Sequence, residues 1–250
     1  MDSVLSIITN IKMAWFFLDI ELIKLPKIKD APEFENNFYF TCKTGVDDGR
    51  ISKLLIQYEL FLMSQKIPGD IVECGVFKGS SLIRFAIFRD LFKKKSKKII
   101  GFDTFGKFPS TKHLMDFEKR KEFIAESGEN SISISQLKYI LQQKNISENI
   151  ELVKGDVTTT VPEYVNKRPK MKISLLNLDV DLYQPTKVVL DSFYSKISKG
   201  GVLILDNFNP SGSGYTFPGE IKAVKEFIKN KKIDIKRFDY RTTPCYIIKK

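Results

Sequence analysis

Histidine and cysteine are scarce in this sequence. Its 250 residues include one histidine, His113, and three cysteines, Cys42, Cys74 and Cys245. The cysteines lie far apart and form no CxxC pair, so we expect a reduced, cytoplasmic protein without a zinc site. A metal ion would need oxygen ligands, which favours magnesium, calcium or manganese.

A long hydrophobic run is missing as well. The longest uninterrupted run in the apolar N-terminal stretch is Met13–Leu18, well short of the ~20 residues of a membrane span. Asp2 stands where a secretory signal is basic, and no small-residue cleavage site follows. We expect residues 1–49 to form a helical extension that packs on the domain or on a second copy of the chain. A helix on a membrane surface is the alternative.

Proline and glycine are sparse, at 10 and 14 residues, and no low-complexity stretch separates two halves of the chain. The apolar fraction of 42% is enough for a full core. We therefore expect one α/β domain over residues 50–250.

The chain is basic, with a net charge of +11 from 41 basic and 30 acidic residues. Such a charge is compatible with a polyanionic partner such as nucleic acid. However, the lysine clusters at 93–98 and 229–232 lie near predicted helix ends, where cations are favourable. No aromatic residues are interleaved with them to stack on bases. Solvated helix faces are the favoured interpretation, and we expect no nucleic-acid partner.

Apolar periodicity predicts alternating strands and helices. In the first helix the apolar residues are Ile51, Leu54, Leu55, Tyr58 and Leu62. The predicted helices are Arg50–Lys66, Ser81–Phe92, His113–Glu126, Ile134–Lys144, Val188–Ile197 and Glu220–Asn230. The predicted strands are Asp70–Cys74, Lys98–Phe102, Ile150–Lys154, Ile173–Leu178, Val202–Leu205, Ile233–Asp239 and Cys245–Ile248.

This order predicts a doubly wound α/β fold, because strands that alternate with helices form a parallel sheet covered on both faces. The last two strands are expected to differ. A short turn at Arg241–Pro244 would join them, so they must be antiparallel neighbours. The expected architecture is a mostly parallel seven-stranded sheet that ends in an antiparallel hairpin.

A glycine-bearing turn follows the first strand and has the form E-x-G-x-x-x-G. Its spacing is neither the dinucleotide G-x-G-x-x-G nor the P-loop pattern. Glycines let the backbone approach a ligand closely, and the next helix offers free N–H donors. We expect this turn to hold a nucleotide-like cofactor. The candidate residues are Glu73, Cys74, Gly75, Val76, Gly79, Ser80 and Ser81.

Acidic residues also end the second and third strands. Asp103, next to Thr104, is placed to accept the hydroxyls of a ribose, and Asp156, between Gly155 and Val157, to accept from an adenine amino group. The alternative for each acid is that it caps a nearby helix. Acids at successive strand ends favour a cofactor site, because ligands of open α/β sheets bind at that edge.

The fourth and fifth strands end in a possible metal site. Asp179 follows the fourth strand, and Asp206 and Asn207 follow the fifth. If these strands are neighbours, two carboxylates and one amide oxygen converge. That all-oxygen set suits Mg²⁺ and leaves positions for water or substrate.

Several segments together resemble the macrocin O-methyltransferase family of antibiotic-sugar methyltransferases. The likeness runs from about Arg50 to the C-terminus, roughly four-fifths of the chain. The Asp206–Asn207 pair is also similar to the metal pair of catechol-type O-methyltransferases. The matching segments are Glu73–Gly79, Gly101–Phe105, Leu178–Tyr183, Leu205–Phe208 and Pro218–Phe227.

The resemblance implies a Rossmann-like class I methyltransferase that uses S-adenosylmethionine and Mg²⁺ on a sugar hydroxyl. It assigns Glu73, Gly75, Asp103 and Asp156 to the cofactor, and we place Asp179 at the cofactor as well. It assigns Asp179, Asp206 and Asn207 to the metal. Family members usually carry a second aspartate at Asn207 and glycine at Val180. Since asparagine keeps an oxygen ligand but removes one charge, we expect a weaker metal site here.

Methyl transfer to an alcohol needs a base, because the hydroxyl is a poor nucleophile until its proton leaves. A metal ion would lower the pKa of the hydroxyl and orient it. Asp181 is the expected base, and with Asp179 it makes up the predicted catalytic pair. Alternatively, Asp181 caps the helix near Pro185 or is a further metal ligand. Lys187 and His113 are lesser candidates for the base.

The acceptor cannot be carried over from the family, because residues 105–126 and 209–217 match only loosely. We expect a sugar, nucleotide-sugar or polysaccharide precursor, with Tyr183, Tyr215, Phe217 and His113 as candidate contacts. The charge keeps an RNA or DNA methyltransferase as an alternative, although no N-P-P-[YF] motif or added binding module is present. A non-catalytic protein that binds S-adenosylmethionine is the other alternative.

Overall fold

The structure is a computed structural model that describes residues 50–209 and 217–250. The predicted N-terminal extension and one predicted acceptor contact, Tyr215, lie outside the described residues. The division of the chain at residue 49 and the predicted pairing of two copies therefore stay predictions.

The described residues alternate between helices and strands, as the sequence predicts. A short 3₁₀ turn, Tyr194–Lys196, precedes the fifth strand. The helices are α1 Arg50–Ser64, α2 Ser80–Leu91, α3 Leu114–Ser127, α4 Ile134–Gln143, α5 Val157–Lys167, α6 Tyr183–Phe193 and α7 Pro218–Ile228. The strands are β1 Asp70–Cys74, β2 Ile99–Asp103, β3 Ile150–Lys154, β4 Ile173–Leu178, β5 Ile197–Leu205, β6 Lys236–Phe238 and β7 Arg241–Ile248.

The strands of the described part form one seven-stranded sheet in the order β3-β2-β1-β4-β5-β7-β6. The pairs among β1 to β5 are parallel, and β7 is antiparallel to both β5 and β6. The predicted doubly wound fold with a closing hairpin is confirmed. Since β4 and β5 are hydrogen-bonded neighbours, the loops that follow them lie side by side.

The core has two halves, one on each face of the sheet. In β5, Leu203 and Leu205 point to a cluster formed with α5, α6 and α7, while Val202 and Ile204 point to a cluster formed with α1, α2 and α4. This alternation follows from the two-residue period of a strand. Helix α3 adds no residue to either cluster and lies at the carboxyl edge of the sheet.

The apolar residues of α1 lie on both sides of the helix. Ile51, Leu54 and Leu55 are 38%, 37% and 47% exposed, whereas Ile56 and Leu60 are fully buried. Tyr58 and Leu62 pack against the core, and the fully buried Gln57 belongs to the same inner face. Apolar spacing indicated the helix correctly, but α1 has apolar residues on both sides, so spacing did not identify the buried one.

Several element boundaries also differ from the prediction, and one helix was not predicted. Helix α6 begins at Tyr183 rather than Val188, and β5 begins at Ile197, which was assigned to that helix. Helix α5 was not predicted, because Pro162 and three threonines weaken its helical pattern. The hairpin turn lies at residues 239–240 rather than at Arg241–Pro244. Pro244 is compatible with β7 because the pairing with β5 starts only at Cys245.

Candidate active site

A cavity of about 630 Å³ opens at the carboxyl ends of β1, β2, β4 and β5. This is the edge at which open α/β sheets bind ligands. Its lining combines predicted cofactor and metal residues with side chains from α1, α3 and β7. The predicted residues that line it are Gly75, Asp103, Thr104, Val157, Asp179, Asp181, Asp206, Asn207 and Phe217.

Gly75 brings the turn after β1 against the loop after β4. Its φ is +91°, and a β-carbon at this position would overlap the carbonyl oxygen of Asp179. The neighbouring backbone is joined by a hydrogen bond of 2.9 Å from the Asp179 N–H to the carbonyl of Cys74. Glycine is required here because two backbone segments meet, which is a different reason from the ligand approach that the sequence predicts.

Asp103 organises the same turn. Its Oδ2 accepts the N–H groups of Val76 and Phe77 at 2.9 Å each, and its Oδ1 accepts the N–H of Phe105 at 2.7 Å and the hydroxyl of Ser131 at 2.7 Å. The carboxylate therefore ties the turn to the loop after β2. Its predicted contact with a ribose stays a prediction.

Glu73 lies beneath the turn rather than in the cavity. It is fully buried, and its Oε1 accepts hydrogen bonds from Ser81 Oγ and, at 2.8 Å, from Asn177 Nδ2. Burial raises the pKa of Glu73 to about 7. Cys74 and Val76 are also buried, and Gly79 is the N-cap of α2, which begins at Ser80. Their predicted cofactor contacts stay predictions.

Asp156 has the capping role that the sequence offered as its alternative. Its Oδ1 accepts the N–H of Thr158 at 2.8 Å at the start of α5, and the side chain is exposed. Its neighbour Val157 is buried and lines the cavity. The predicted contact of Gly155 and Asp156 with adenine is untested.

Four carboxylates gather where β4 and β5 end, and we call this set the acid cluster: Asp179, Asp181, Asp206 and Glu220. Asn207 bridges two of its members. It donates through Nδ2 to Asp181 Oδ1 at 2.6 Å and through its N–H to Glu220 Oε1 at 3.2 Å. The Nζ of Lys53, on α1, lies 2.8 Å from Asp206 Oδ2.

Burial and mutual repulsion disfavour the ionised form of three carboxyl groups of the acid cluster. Burial, followed by repulsion from Asp206, raises the pKa of Asp179 well above its usual range and that of Asp181 to about 7. Burial and repulsion from Asp181 and Asp206 raise the pKa of Glu220. In the part of the chain that the structure describes, Asp206 Oδ1 and Glu220 Oε2 are buried without a hydrogen-bond partner. The cluster therefore contains buried acceptor oxygens that the described residues leave unsatisfied.

Asp181 does not cap the helix that follows it, so that alternative is wrong. The N–H of Tyr183, the first residue of α6, donates instead to Asp116 Oδ2 at 2.8 Å. Asp181 adopts a φ of +64°, a conformation that non-glycine residues rarely occupy and that is often found at functional sites. It lines the cavity, as a base or a further ligand would.

The predicted acceptor contacts separate into two places. Phe217 lines the cavity, whereas Tyr183 and His113 stack on each other at 4.5 Å outside its lining. The Tyr183 hydroxyl donates to Glu226 at 2.7 Å. Lys187 is paired with Asp191 at 2.9 Å on the exposed side of α6, which separates this lesser base candidate from the cavity.

Several lining residues were not predicted. Phe77, Phe108 and Phe123 are three of them. They and the predicted Phe217 touch edge to face or tilted at 5.2 to 6.3 Å between ring centres and form an aromatic wall. Lys53 lines the cavity from α1 and was also not predicted. No local signal marked Glu220, or Arg241 to Pro244 at the start of β7.

Two features are absent from the described residues: a metal-binding group of His, Cys, Asp or Glu side chains, and a membrane-spanning helix. In residues 50–209 and 217–250, no three or more His, Cys, Asp or Glu side chains are placed as a metal-binding group. The predicted set, two carboxylates and one amide, is smaller than such a group. No helix of these ranges is long and apolar enough to cross a membrane.

Comparison with known families decides the kind of protein. The model of the family described as Macrocin-O-methyltransferase (TylF) matches residues 41–244. The chain belongs to the macrocin O-methyltransferase family. The resemblance found in the motifs is thereby confirmed.

Two relatives with known names are also O-methyltransferases, in agreement with the family assignment. The chain is 24% identical over 209 residues to a mycinamicin III 3''-O-methyltransferase of Micromonospora griseorubida, an alignment that covers 80% of this chain and 76% of the relative. It is 23% identical over 151 residues to a Streptomyces olivaceus 4'-O-methyltransferase of 8-demethyl-8-(2,3-dimethoxy-alpha-L-rhamnosyl)-tetracenomycin C. That alignment covers 59% of this chain and only 56% of the relative.

A solved structure is similar over nearly the whole chain. The calicheamicin methyltransferase CalS11 superposes with a TM-score of 0.71 at 25% identity, covering 97% of this chain and 91% of the other. The Rossmann-like methyltransferase fold that the sequence predicted is confirmed.

Proposed function

We propose that this chain transfers a methyl group from S-adenosylmethionine to a hydroxyl of a sugar-bearing acceptor, with Mg²⁺ or a similar divalent ion. One observation carries the proposal. Three members of the acid cluster and Gly75 of the glycine turn line the same cavity, at the edge of the sheet where class I methyltransferases are expected to bind their donor. The three members are Asp179, Asp181 and Asp206.

The cavity suits a donor and an acceptor together. Its volume of about 630 Å³ is within the range of small-molecule sites. The turn after β1, Asp103 and Thr104 would hold the donor at one end. The acid cluster would meet the acceptor hydroxyl, and the aromatic wall would exclude water from the reacting groups.

The donor set fits a hard divalent cation. Such an ion would stabilise the ionised form of the buried carboxyl groups and would give the unpartnered oxygen of Asp206 a partner. Asp179, Asp206 and the amide oxygen of Asn207 would hold it. The ion would supply a positive charge that makes the acceptor hydroxyl more acidic.

Asp181 would take the proton of the acceptor hydroxyl. It lines the cavity, and the amide of Asn207 fixes one of its oxygens at 2.6 Å while the other is left to meet the acceptor. Its backbone is held between Asp179 and the start of α6, so its carboxylate is positioned before the acceptor binds.

An uncharged acceptor fits the lining better than a nucleic acid does. Although the whole chain carries +11, the described lining is acidic, with Lys53 and Arg241 as its cations. A phosphate-rich strand would be repelled there. The Streptomyces olivaceus relative is named for a rhamnosyl-bearing tetracenomycin, which supports a sugar acceptor. The carboxylates of the lining are Asp103, Glu126, Glu129, Asp179, Asp181 and Asp206.

The test is transfer of a labelled methyl group to a panel of neutral glycosides, sugar nucleotides and RNA. We expect label on an oxygen of at least one glycoside and none on RNA. Label on RNA that weakens steeply with salt would favour the nucleic-acid alternative. Failure of S-adenosylmethionine to raise the unfolding temperature would favour a protein that does not use this donor.

Metal removal is expected to stop the reaction. In excess chelator, the rate of labelled-methyl transfer should fall at least ~100-fold, because the acceptor hydroxyl would lose its activating charge. Added Mg²⁺ should restore the rate. Full activity in chelator would remove the metal from the mechanism.

Lys53→Met is expected to destabilise the metal-free protein. The acid cluster would lose the ammonium paired with Asp206 at 2.8 Å, at a cost of about 2 kcal/mol, which lowers the unfolding temperature by about 4–8 °C. Mg²⁺ should offset the loss by binding the folded state. Lys66→Met, at an exposed position just after α1, is the matched control and should change little. Equal unfolding temperatures for the two variants would refute a counter-ion role for Lys53.

A further inference from the structure

Asp116 is a fully buried carboxylate that the proposed chemistry does not use. It lies in the first turn of α3, in the segment between β2 and β3 that matches the family only loosely. The same helix carries Phe123, Glu126 and Ser127 to the wall of the cavity. Asp116 is therefore anchored in the element that covers the site.

Each oxygen of Asp116 caps a different helix. Oδ2 accepts the N–H of Tyr183 at the start of α6 at 2.8 Å, and Oδ1 accepts the N–H of Gly219 at the start of α7 at 2.8 Å. Neither helix is capped by the residue before its first turn. A buried anion at two helix N-termini is favourable, because it satisfies free N–H groups and complements both helix dipoles. Nδ1 of His113 lies 3.6 Å from Oδ2.

Gly219 shows how closely the carboxylate fits against α7. A β-carbon at this position would overlap the Asp116 carboxylate, and the three nearest heavy atoms all belong to Asp116. Glycine is otherwise unfavourable inside a helix. The contact between Asp116 and the Gly219 backbone therefore depends on the absence of a side chain.

The two capped helices follow the two loops that carry the acid cluster. Helix α6 begins two residues after Asp181, and α7 carries Glu220, whose Oε1 accepts the N–H of Asn207 at 3.2 Å. Asn207 in turn donates to Asp181 at 2.6 Å. Asp116 thus connects α3 with the starts of α6 and α7. These two starts lie next to the loops after β4 and β5, which carry Asp181 and Asn207.

We propose that Asp116 is a positioning residue: by capping α6 and α7 at once, it fixes the loops after β4 and β5 in the spacing that the metal ligands need. The proposal rests on the proposed function, since it concerns the same metal site. Asp116 acts through Asp181, Asn207 and Glu220 and contacts neither donor nor metal.

Titration calorimetry of the full chain with Mn²⁺ and, separately, with S-adenosylhomocysteine tests the role of Asp116. Asp116→Asn should weaken Mn²⁺ binding at least 10-fold, because an amide can accept from one helix only and presents its NH₂ group to the other. Binding of S-adenosylhomocysteine should change less than threefold. A general loss of structure would weaken both. Asp191→Asn, an exposed aspartate on α6 paired with Lys187, is the matched control and should change neither.

A double-mutant cycle tests the contact itself. Gly219→Ala should weaken Mn²⁺ binding about 5- to 10-fold and lower the unfolding temperature in the wild-type background. In an Asp116→Ala background the same change should alter Mn²⁺ binding less than twofold and leave the unfolding temperature unchanged or higher. If Gly219→Ala weakens Mn²⁺ binding and lowers the unfolding temperature equally in both backgrounds, the proposed role of Asp116 is wrong.

The results of these measurements distinguish failure of the Asp116 role from failure of the proposed metal-dependent function. If the wild type binds both probes and Asp116→Asn binds Mn²⁺ equally well, only the role of Asp116 fails. If the wild type binds S-adenosylhomocysteine but no Mn²⁺, the metal part of the proposed function fails and the role of Asp116 fails with it.

Discussion

Gly75→Ala is expected to abolish binding of S-adenosylhomocysteine and to destabilise the fold strongly. The new β-carbon would overlap the carbonyl oxygen of Asp179, and the residue would also have to keep a φ of +91°. Neither backbone segment can yield without opening the junction between β1 and β4. We expect a loss of more than ~3 kcal/mol of unfolding free energy and at least 100-fold weaker binding, measured by thermal unfolding and calorimetry.

Gly128→Ala is the matched control for this substitution. Gly128 has a similar φ of +81°, but a β-carbon there would meet no atom within 4 Å. The control should therefore lose only the ~1–3 kcal/mol of a backbone conformation that favours glycine, with φ +81° and ψ 158°, and it should bind the ligand normally. If the two variants unfold and bind alike, the close approach at Gly75 is not what holds the site together.

Asp179→Asn is expected to lower methyl transfer at least ~1000-fold and to raise the stability of the metal-free protein. The transfer rate should fall because one charged ligand of the proposed metal is lost. The stability should rise because the pKa of Asp179 is raised in the folded chain. At neutral pH the carboxylate is ionised in the unfolded chain, so folding must either protonate it or bury its charge. A neutral amide removes that cost.

The measurements are labelled-methyl transfer to an acceptor found in the panel, thermal unfolding in chelator, and S-adenosylhomocysteine affinity. We expect a gain of about 2–4 °C in unfolding temperature, equivalent to about 1 kcal/mol, and affinity within threefold of the wild type. Asp191→Asn should change none of the three. A variant that is inactive but less stable would contradict the proposed cost of burying the Asp179 carboxyl group.

The strand ends were predictable because two simple signals coincide there. Short apolar runs mark buried strands, and an acidic residue directly after such a run must leave the core at the sheet edge. Asp103, Asp179 and Asp206 therefore lie where the sequence places them, and the adjacency of β4 and β5 brings the last two together.

The remaining parts of the site depend on contacts between distant residues. Lys53 meets Asp206 across 153 positions, and Asp116 meets Gly219 across 103. Neither pair has a local pattern, since a lysine in an amphipathic helix or an aspartate in its first turn is common. The aromatic wall likewise joins residues from the β1 turn, α3 and the start of α7.

A crystal structure with Mn²⁺ and S-adenosylhomocysteine, read by anomalous scattering, tests the shared site of donor and metal most directly. We predict one anomalous peak bound by Asp179, Asp206 and Asn207, with the cofactor against the turn after β1. Cofactor in the cavity, no peak at the acid cluster and Lys53 still paired with Asp206 would contradict the proposed mechanism.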